Sequence, residues 1–153
     1  MRSGRHPLRF RAESYLKCAK KSGLNQPMGT MKSAEEWLKQ ADYDIETAEY
    51  MCEARRYLPA VFMCFSSIEK ALKGVYRSRC KGAPPKTTNL LTLAEQIDLK
   101  LPNDVFEFLA KLNNSYPETL YPAKLATAQE VYTEPETRSL LAASKHALEW
   151  IRT

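Results

Sequence analysis

Four basic side chains near the middle of the sequence follow one another at steps of three, four and four residues: Lys70, Lys73, Arg77 and Lys81. On an α-helix this spacing places all four along one stripe. A stripe of ammonium and guanidinium groups suits contact with the phosphates of a nucleic acid, and in a dimer two such stripes would line one groove. The alternative interpretation is a helix face covered by solvent.

Glu69 lies four residues before Lys73, which is the favourable order for an ion pair on a helix, worth about 0.2 to 0.5 kcal/mol. The pair is either a structural contact or part of a polar site in which Glu69 and Lys70 face a dimer cleft or a ligand. Tyrosine rings stack on bases in single-strand recognition, so Tyr116, Tyr121 and Tyr132 are further candidates for stacking on a ligand, and we select Tyr116 and Tyr121 as candidate ligand-binding residues. The alternative is that neighbouring prolines hold these rings against the protein.

Metal-binding chemistry has little support in the sequence. The two histidines, His6 and His146, lie at opposite ends of the chain, and the four cysteines form no Cys-x-x-Cys pair. We therefore predict no metal site and no cofactor. His146 lies one residue from an apolar stripe and is interpreted as a surface residue, whereas Cys64 is interpreted as part of the core.

The formal charge of +5 is unevenly distributed along the 153 residues. Residues 1–30 hold seven Lys and Arg residues against Glu13 alone, a charge of +6, while the remaining residues hold 16 basic and 17 acidic side chains, a charge of −1. We interpret residues 1–30 as a basic, flexible N-terminal extension, with a nucleic-acid-binding arm as the alternative. Residues 31–153 then form one nearly neutral domain.

Local signals place the candidate residues on helices. Ser33 with Glu36 forms a capping box, which predicts that a first helix starts there. Pro59 suits the first turn of a second helix running to about Cys80, which Gly82 would end in a left-handed conformation. Residues 60–65 are apolar all round, which is typical of a central helix covered by other helices or by a second subunit. A dimer interface is therefore predicted at two of them, Phe62 and Phe65.

The rest of the chain also reads as helical. A short third helix is predicted after Thr88 or Asn89, a fourth after Pro102, and a last one capped by Thr133. Residues 115–122 contain two Tyr-Pro pairs, which predict a structured loop rather than a helix interior. No segment alternates as a strand would. These patterns predict an all-α, up-and-down bundle of four to five helices.

No stretch approaches the roughly 18 to 20 apolar residues that span a bilayer, and the first thirty residues lack the apolar core of a secretory signal. We therefore predict a cytoplasmic protein with no membrane partner.

Residues 65–73, Phe-Ser-Ser-Ile-Glu-Lys-Ala-Leu-Lys, resemble the Gln-Gln-Ala-Ala-Glu-Lys-Ala-Leu-Lys box in the second helix of HEPN domains. Residues 37–44 are similar to the first helix of that family, and residues 131–134 to the segment before its last helix. Residues 88–91, Thr-Asn-Leu-Leu, stand where many members have Thr-His-Asp-Leu, and residues 120–122, Leu-Tyr-Pro, where they have Arg-Tyr-Pro. The order and spacing of these weak motifs, from about residue 33 to the end, give the resemblance its specificity.

The resemblance implies a homodimer that binds a nucleotide or RNA. It also implies a small nucleotidyltransferase as a partner protein, in a toxin–antitoxin or defence module. Asn89 becomes a candidate ligand-binding residue because it stands at the histidine of the Thr-His box. Several HEPN proteins are metal-independent ribonucleases whose signature is an Arg followed four to six residues later by His.

This signature is missing from the sequence. Arg2 and His6 have three residues between them, and Arg138 and His146 have seven. Asn89 does not titrate near neutral pH as a histidine would. We therefore predict a non-catalytic nucleotide-, RNA- or partner-binding module. The alternatives are a degenerate ribonuclease and a purely structural dimerisation domain.

Overall fold

The computed structural model describes residues 31–153. Six helices and no strand lie within this range: α1 (Ala34–Glu53), α2 (Tyr57–Cys80), α3 (Leu90–Gln96), α4 (Asn103–Leu120), α5 (Leu125–Val131) and α6 (Glu134–Arg152). The predicted all-α bundle is confirmed. The basic extension predicted for residues 1–30 lies outside the described residues.

Short polar side chains start three of the helices, as the sequence predicts. The Ser33 hydroxyl accepts a hydrogen bond from the Glu36 N–H at 3.1 Å, and Thr133 accepts one from the Glu136 N–H at 3.5 Å. The Asn89 side chain accepts one from Thr92 N–H at 3.1 Å and caps α3. Each oxygen satisfies a backbone donor that has no partner inside its own helix.

The second helix is the centre of the bundle. Helix α2 packs against each of the other five helices, and Phe65, Ile68 and Leu72 are among its fully buried side chains. Cys64 is also buried, as predicted. Against α1 the approach is close, because a Cβ atom added at Gly74 would lie 3.2 Å from atoms of Leu38 and Trp37. The prediction of a central helix is confirmed.

Helix α2 ends at Cys80, as predicted, but the residue in the left-handed cap differs from the prediction. Lys81, rather than Gly82, takes the left-handed conformation, with φ 61°. Such a conformation costs a non-glycine residue about 1 kcal/mol. Two hydrogen bonds accompany it, one from the Lys81 N–H to the Arg77 carbonyl at 3.2 Å and one from the Arg77 guanidinium to the Lys81 carbonyl.

The prediction of a loop for residues 115–122 is wrong for residues 115–120, which are helical. Helix α4 continues to Leu120 with Pro117 inside its last turn, and only then stops before the second Tyr-Pro pair. Proline removes one backbone donor. Burial of Ser115 and Thr119 and the packing of the Tyr116 ring hold the turn in place despite that loss, and the Thr119 hydroxyl donates to the Ser115 carbonyl at 2.9 Å.

Helix α5 was not predicted from the sequence. Ala128 is its single buried residue, so the segment has no apolar stripe that would have revealed it. None of the helices between residues 31 and 153 is long and apolar enough to cross a membrane.

Candidate functional site

The first half of the predicted basic stripe belongs to a polar cluster between α1 and α2. Asp44 of α1 is buried, and its Oδ2 atom accepts hydrogen bonds from the Ser66 hydroxyl and the Lys70 ammonium, both at 2.6 Å. A buried carboxylate needs such partners, because it has lost its hydration. Asp44 neutralises Lys70 in this way, and the contact joins the two helices.

The second lysine of the stripe is also paired. The Lys73 ammonium lies 2.6 Å from a carboxylate oxygen of Glu69, and both side chains are largely shielded from solvent. The Trp37 ring provides part of this cover, with its centroid 5.8 Å from the Lys73 nitrogen. Together Asp44 and Glu69 supply two negative charges for two lysines, so this half of the stripe has no net positive charge.

The second half of the stripe is different. Lys81 is exposed, and neither Lys81 nor Arg77 has an ion pair with a carboxylate among residues 31–153. The Nε atom of Arg77 is buried and has no hydrogen-bond partner within the same residues. We call Arg77 and Lys81 the cationic end of α2. This end keeps the positive charge that the stripe was predicted to carry.

Two other predicted site residues make contacts that stabilise the fold. The Asn89 side-chain oxygen is engaged as the cap of α3, so it is held by the fold. Phe65 is 1% exposed and its ring lies 4.5 Å from the Tyr116 ring, centroid to centroid. Phe65 therefore has no surface to offer to a second subunit. Phe62, whose ring centroid lies 6.1 Å from that of Tyr116, is only partly buried.

Tyr121 lies apart from these residues, on a groove between α4 and α5. The groove has a volume of about 510 Å³ and a largely apolar lining: Pro117, Glu118, Tyr121, Pro122, Ala123, Lys124, Thr127, Ala128, Val131 and Tyr132. The Tyr121 side chain is 78% exposed. The structure therefore does not bring Tyr121 together with the α2 residues. It divides the predicted site into two places.

The titratable groups needed for RNA cleavage do not come together around His146. Its imidazole is exposed, as predicted, and the Nε2 atom lies 3.7 Å from a carboxylate oxygen of Asp104, which is also exposed. Arg138 pairs with Glu134 on its own helix at 3.0 Å. Within the described part of the chain, no group of three His, Cys, Asp or Glu side chains is placed to hold a metal ion.

Asp44 is the residue of the polar cluster that the sequence interpretation missed. It lies three residues after Ala41 and four before Ala48, both fully buried, so it stands on the apolar stripe of α1. A charged residue on such a stripe requires a buried partner. That signal was present in the sequence, but it does not reveal which residue of the facing helix provides the partner.

Comparisons with known proteins agree with the resemblance. The HEPN domain family matches residues 34–153 of the chain. The crystal structure of TT1696 from Thermus thermophilus is similar with a TM-score of 0.70 and 26% sequence identity, covering 80% of this chain and 98% of that one. The structure of ST0689, an archaeal HEPN homologue, is similar with a TM-score of 0.65 and 27% identity, covering 80% of this chain and 97% of that one. A search of curated protein sequences finds no significant match. Since the family match spans well over half of its length, the chain belongs to the HEPN domain family.

Proposed function

We propose that this HEPN protein is a non-catalytic module that binds RNA or a nucleotide, and that the cationic end of α2 contacts the phosphates. The observation that carries the proposal is the contrast along one helix. Lys70 and Lys73 are neutralised by carboxylates, whereas Arg77 and Lys81 have no acidic partner among residues 31–153. Positive groups without an acidic partner are the ones that can replace the counterions of a phosphate chain.

The arrangement of the remaining groups supports binding rather than catalysis. Metal-independent cleavage needs a group that exchanges a proton with the ribose 2′-hydroxyl and a fixed cation beside the phosphate. His146 lies next to an acidic side chain, Asp104, instead of a cation. Arg138 is held by Glu134.

The proposal includes a homodimer and a small nucleotidyltransferase partner in a toxin–antitoxin or defence module, both of which the family resemblance implies. Of the two predicted interface residues, Phe62 retains exposed surface. Light scattering on the purified protein tests the dimer, and Phe62→Ser should shift it toward the monomer. Co-purification with the product of a neighbouring nucleotidyltransferase gene tests the partner.

The phosphate contact is tested by titrating a labelled single-stranded RNA at several salt concentrations. The double variant Arg77→Gln, Lys81→Gln should bind more weakly. Its slope of log affinity against log salt should be smaller by about 1.4, since each lost contact with a single strand is worth about 0.7. Lys70→Gln should leave the slope unchanged because Asp44 already neutralises that lysine.

A control variant removes two positive charges elsewhere, at the exposed residues Lys39 and Lys100. Thermal unfolding of each variant checks that the end of α2 stays folded without the Arg77 hydrogen bond. An equal loss of slope in the control and in the Arg77 and Lys81 variant would refute the assignment of the site.

The rival function, a ribonuclease, is tested by incubating the protein with labelled RNA in EDTA. We expect no cleavage. Cleavage that disappears in His146→Ala would overturn the non-catalytic assignment.

A further inference from the structure

Two tyrosine rings on α1 stand almost free of the bundle. Tyr43 is 71% exposed and Tyr50 is 70% exposed. They are seven residues apart, so both lie on the same side of the helix, about 10 Å from one another along its axis. Neither ring stacks on another ring or lies beneath a cation among residues 31–153. Rings of this size on a soluble surface are typical of contacts with a second segment of protein.

Two carboxylates alternate with these rings. Tyr43, Glu46, Tyr50 and Glu53 follow one another at steps of three, four and three residues, which places them along one side of α1, and we call them the outer stripe. Both glutamates are exposed, and neither forms an ion pair with a basic side chain of residues 31–153.

Other acidic residues of α1 do have basic partners. Asp42 pairs with Arg152 and Glu49 with Lys145, and both partners belong to α6. These two carboxylates join α1 to the last helix of the bundle. The charges of the outer stripe make no such contact, so they are available to another segment.

The chemistry of the outer stripe favours arginine in that segment. A guanidinium group is planar, so it stacks on the face of a tyrosine while its N–H groups donate to a neighbouring carboxylate. A lysine ammonium supplies the charge but is more strongly hydrated and has no flat face to stack. Rings and carboxylates in alternation therefore fit a segment that carries several arginines.

The chain itself contains such a segment, among the residues outside the described range. Arg2, Arg5, Arg9 and Arg11 fall within its first eleven residues, and these eleven include no acidic side chain. Residue 11 is 23 residues before the start of α1 at Ala34, a length of chain that spans at most about 80 Å. Tyr50 lies only about 24 Å along α1 from that start, so the arginines are within reach of the whole stripe.

We propose that the outer stripe of α1 binds residues 1–11 of the same chain. Arginine side chains stack on Tyr43 and Tyr50 and pair with Glu46 and Glu53. The contact gives the basic segment an acidic partner and covers the two exposed rings. This inference goes beyond the proposed function, because it involves neither RNA nor the cationic end of α2.

Hydroxyl-radical labelling of the full chain, read at each tyrosine by mass spectrometry, tests the contact. The comparison is with a variant that carries Arg2→Gln, Arg5→Gln, Arg9→Gln and Arg11→Gln. Tyr43 and Tyr50 should be labelled about twofold faster or more in this variant, because the groups that cover them are lost. Tyr121, which is 78% exposed at the end of α4, should be labelled equally fast in both chains.

Further variants separate stacking from simple charge attraction. Replacing the same four arginines by lysine keeps the charge, but it should also expose the two rings. Replacing Lys17, Lys20 and Lys21 by glutamine should leave the labelling unchanged.

The carboxylates of the stripe have a matched control of their own. Glu46→Gln with Glu53→Gln should speed the labelling of Tyr43 and Tyr50. Glu107→Gln with Glu130→Gln, at exposed positions of α4 and α5, should not. All of these side chains are on the surface, and thermal unfolding checks that each variant remains folded.

A photo-crosslinker identifies the chain that supplies the arginines. Phe10→p-benzoylphenylalanine places the reactive group between Arg9 and Arg11, and the label should join residues 39–53. Chains of ordinary and heavy nitrogen are mixed in urea and refolded together before irradiation. Links should join peptides of the same isotope.

Three results would overturn the inference. The first is equal labelling of Tyr43 and Tyr50 in the native chain and in the glutamine variant of the four arginines. The second is an equal effect of the lysine-to-glutamine variant, which would reduce the contact to net charge. The third is links between peptides of different isotopes, which would assign the stripe to a second copy of the chain. Because no RNA is present, failure here leaves the RNA titrations of the Arg77 and Lys81 variant unaffected.

Discussion

Replacement of Asp44 by alanine removes the carboxylate that links α1 to the centre of α2, and its cost can be worked out from the contacts. The hydrogen bond from Ser66 to a charged acceptor is worth about 1.5 kcal/mol. The pair with Lys70 adds about 1 kcal/mol, less than a fully buried pair, because the Lys70 side chain is 27% exposed and its ammonium can turn to water. Asp44→Ala should therefore lower the free energy of unfolding by about 2 to 3 kcal/mol.

Urea denaturation followed by circular dichroism measures this loss, and a thermal melt should show a fall in Tm of about 10 °C. Asp44→Asn should cost less, about 1 kcal/mol, because the amide oxygen still accepts from Ser66. Adding Lys70→Met to Asp44→Ala should recover part of the stability, since it removes an ammonium group that has lost its partner.

Asp42 provides the control, two residues away on the same helix. Its carboxylate pairs with Arg152, but its side chain is 51% exposed, so Asp42→Ala should cost less than about 0.5 kcal/mol. If the two alanine variants lost the same stability, the assignment of Asp44 as a buried structural link would be refuted.

Three further predictions concern the bundle itself. Pro117→Ala restores a backbone donor inside α4 and should raise the free energy of unfolding by about 1 to 2 kcal/mol in the same denaturation assay; a decrease would mean that proline stabilises this turn. Gly74→Val should lower it by about 2 kcal/mol, because its side chain would press on Leu38 and Trp37, whereas Ser78→Val, at an exposed position of the same helix, should have little effect. Burial raises the pKa of the Cys64 thiol from 9.0 to about 11. The unfolded chain therefore loses this proton first, and stability should fall as the pH rises from about 9 towards 11. A Cys64→Ala variant should lose that part of the fall, and an unchanged pH slope would contradict the assignment.

Local chemistry accounts for the features of the fold that could be predicted. Ser33, Asn89 and Thr133 indicate helix starts because each side-chain oxygen satisfies a backbone donor only three residues away. Apolar residues at helical spacing likewise mark the buried face of a helix without reference to its neighbours.

The errors arose where distant contacts decide the outcome. Pro117 lies inside a helix because Tyr116 packs on α2, which no reading of residues 115–122 alone reveals. Lys70, Lys73 and Arg77 of the predicted basic stripe lie on α2, whereas Lys81 is its left-handed C-cap. The first half of the stripe is neutral because Asp44, 26 residues before Lys70, faces it from another helix. Helical spacing shows which residues share a face, but it does not show what lies opposite.

The contact of Asp44 with α2 also fixes the axial register of the two longest helices. Small residues line part of their seam, among them Ala41, Ala48 and Gly74, and let the two helices approach closely; a slide of one turn would shift one helix by about 5.4 Å. Only one alignment places the carboxylate opposite Ser66 and Lys70 and lets Ser67 donate to the Ala41 carbonyl at 2.7 Å. Any other alignment would leave the buried Asp44 carboxylate without these partners. The two helices therefore have a single alignment, and the cationic end of α2 keeps one position relative to α1.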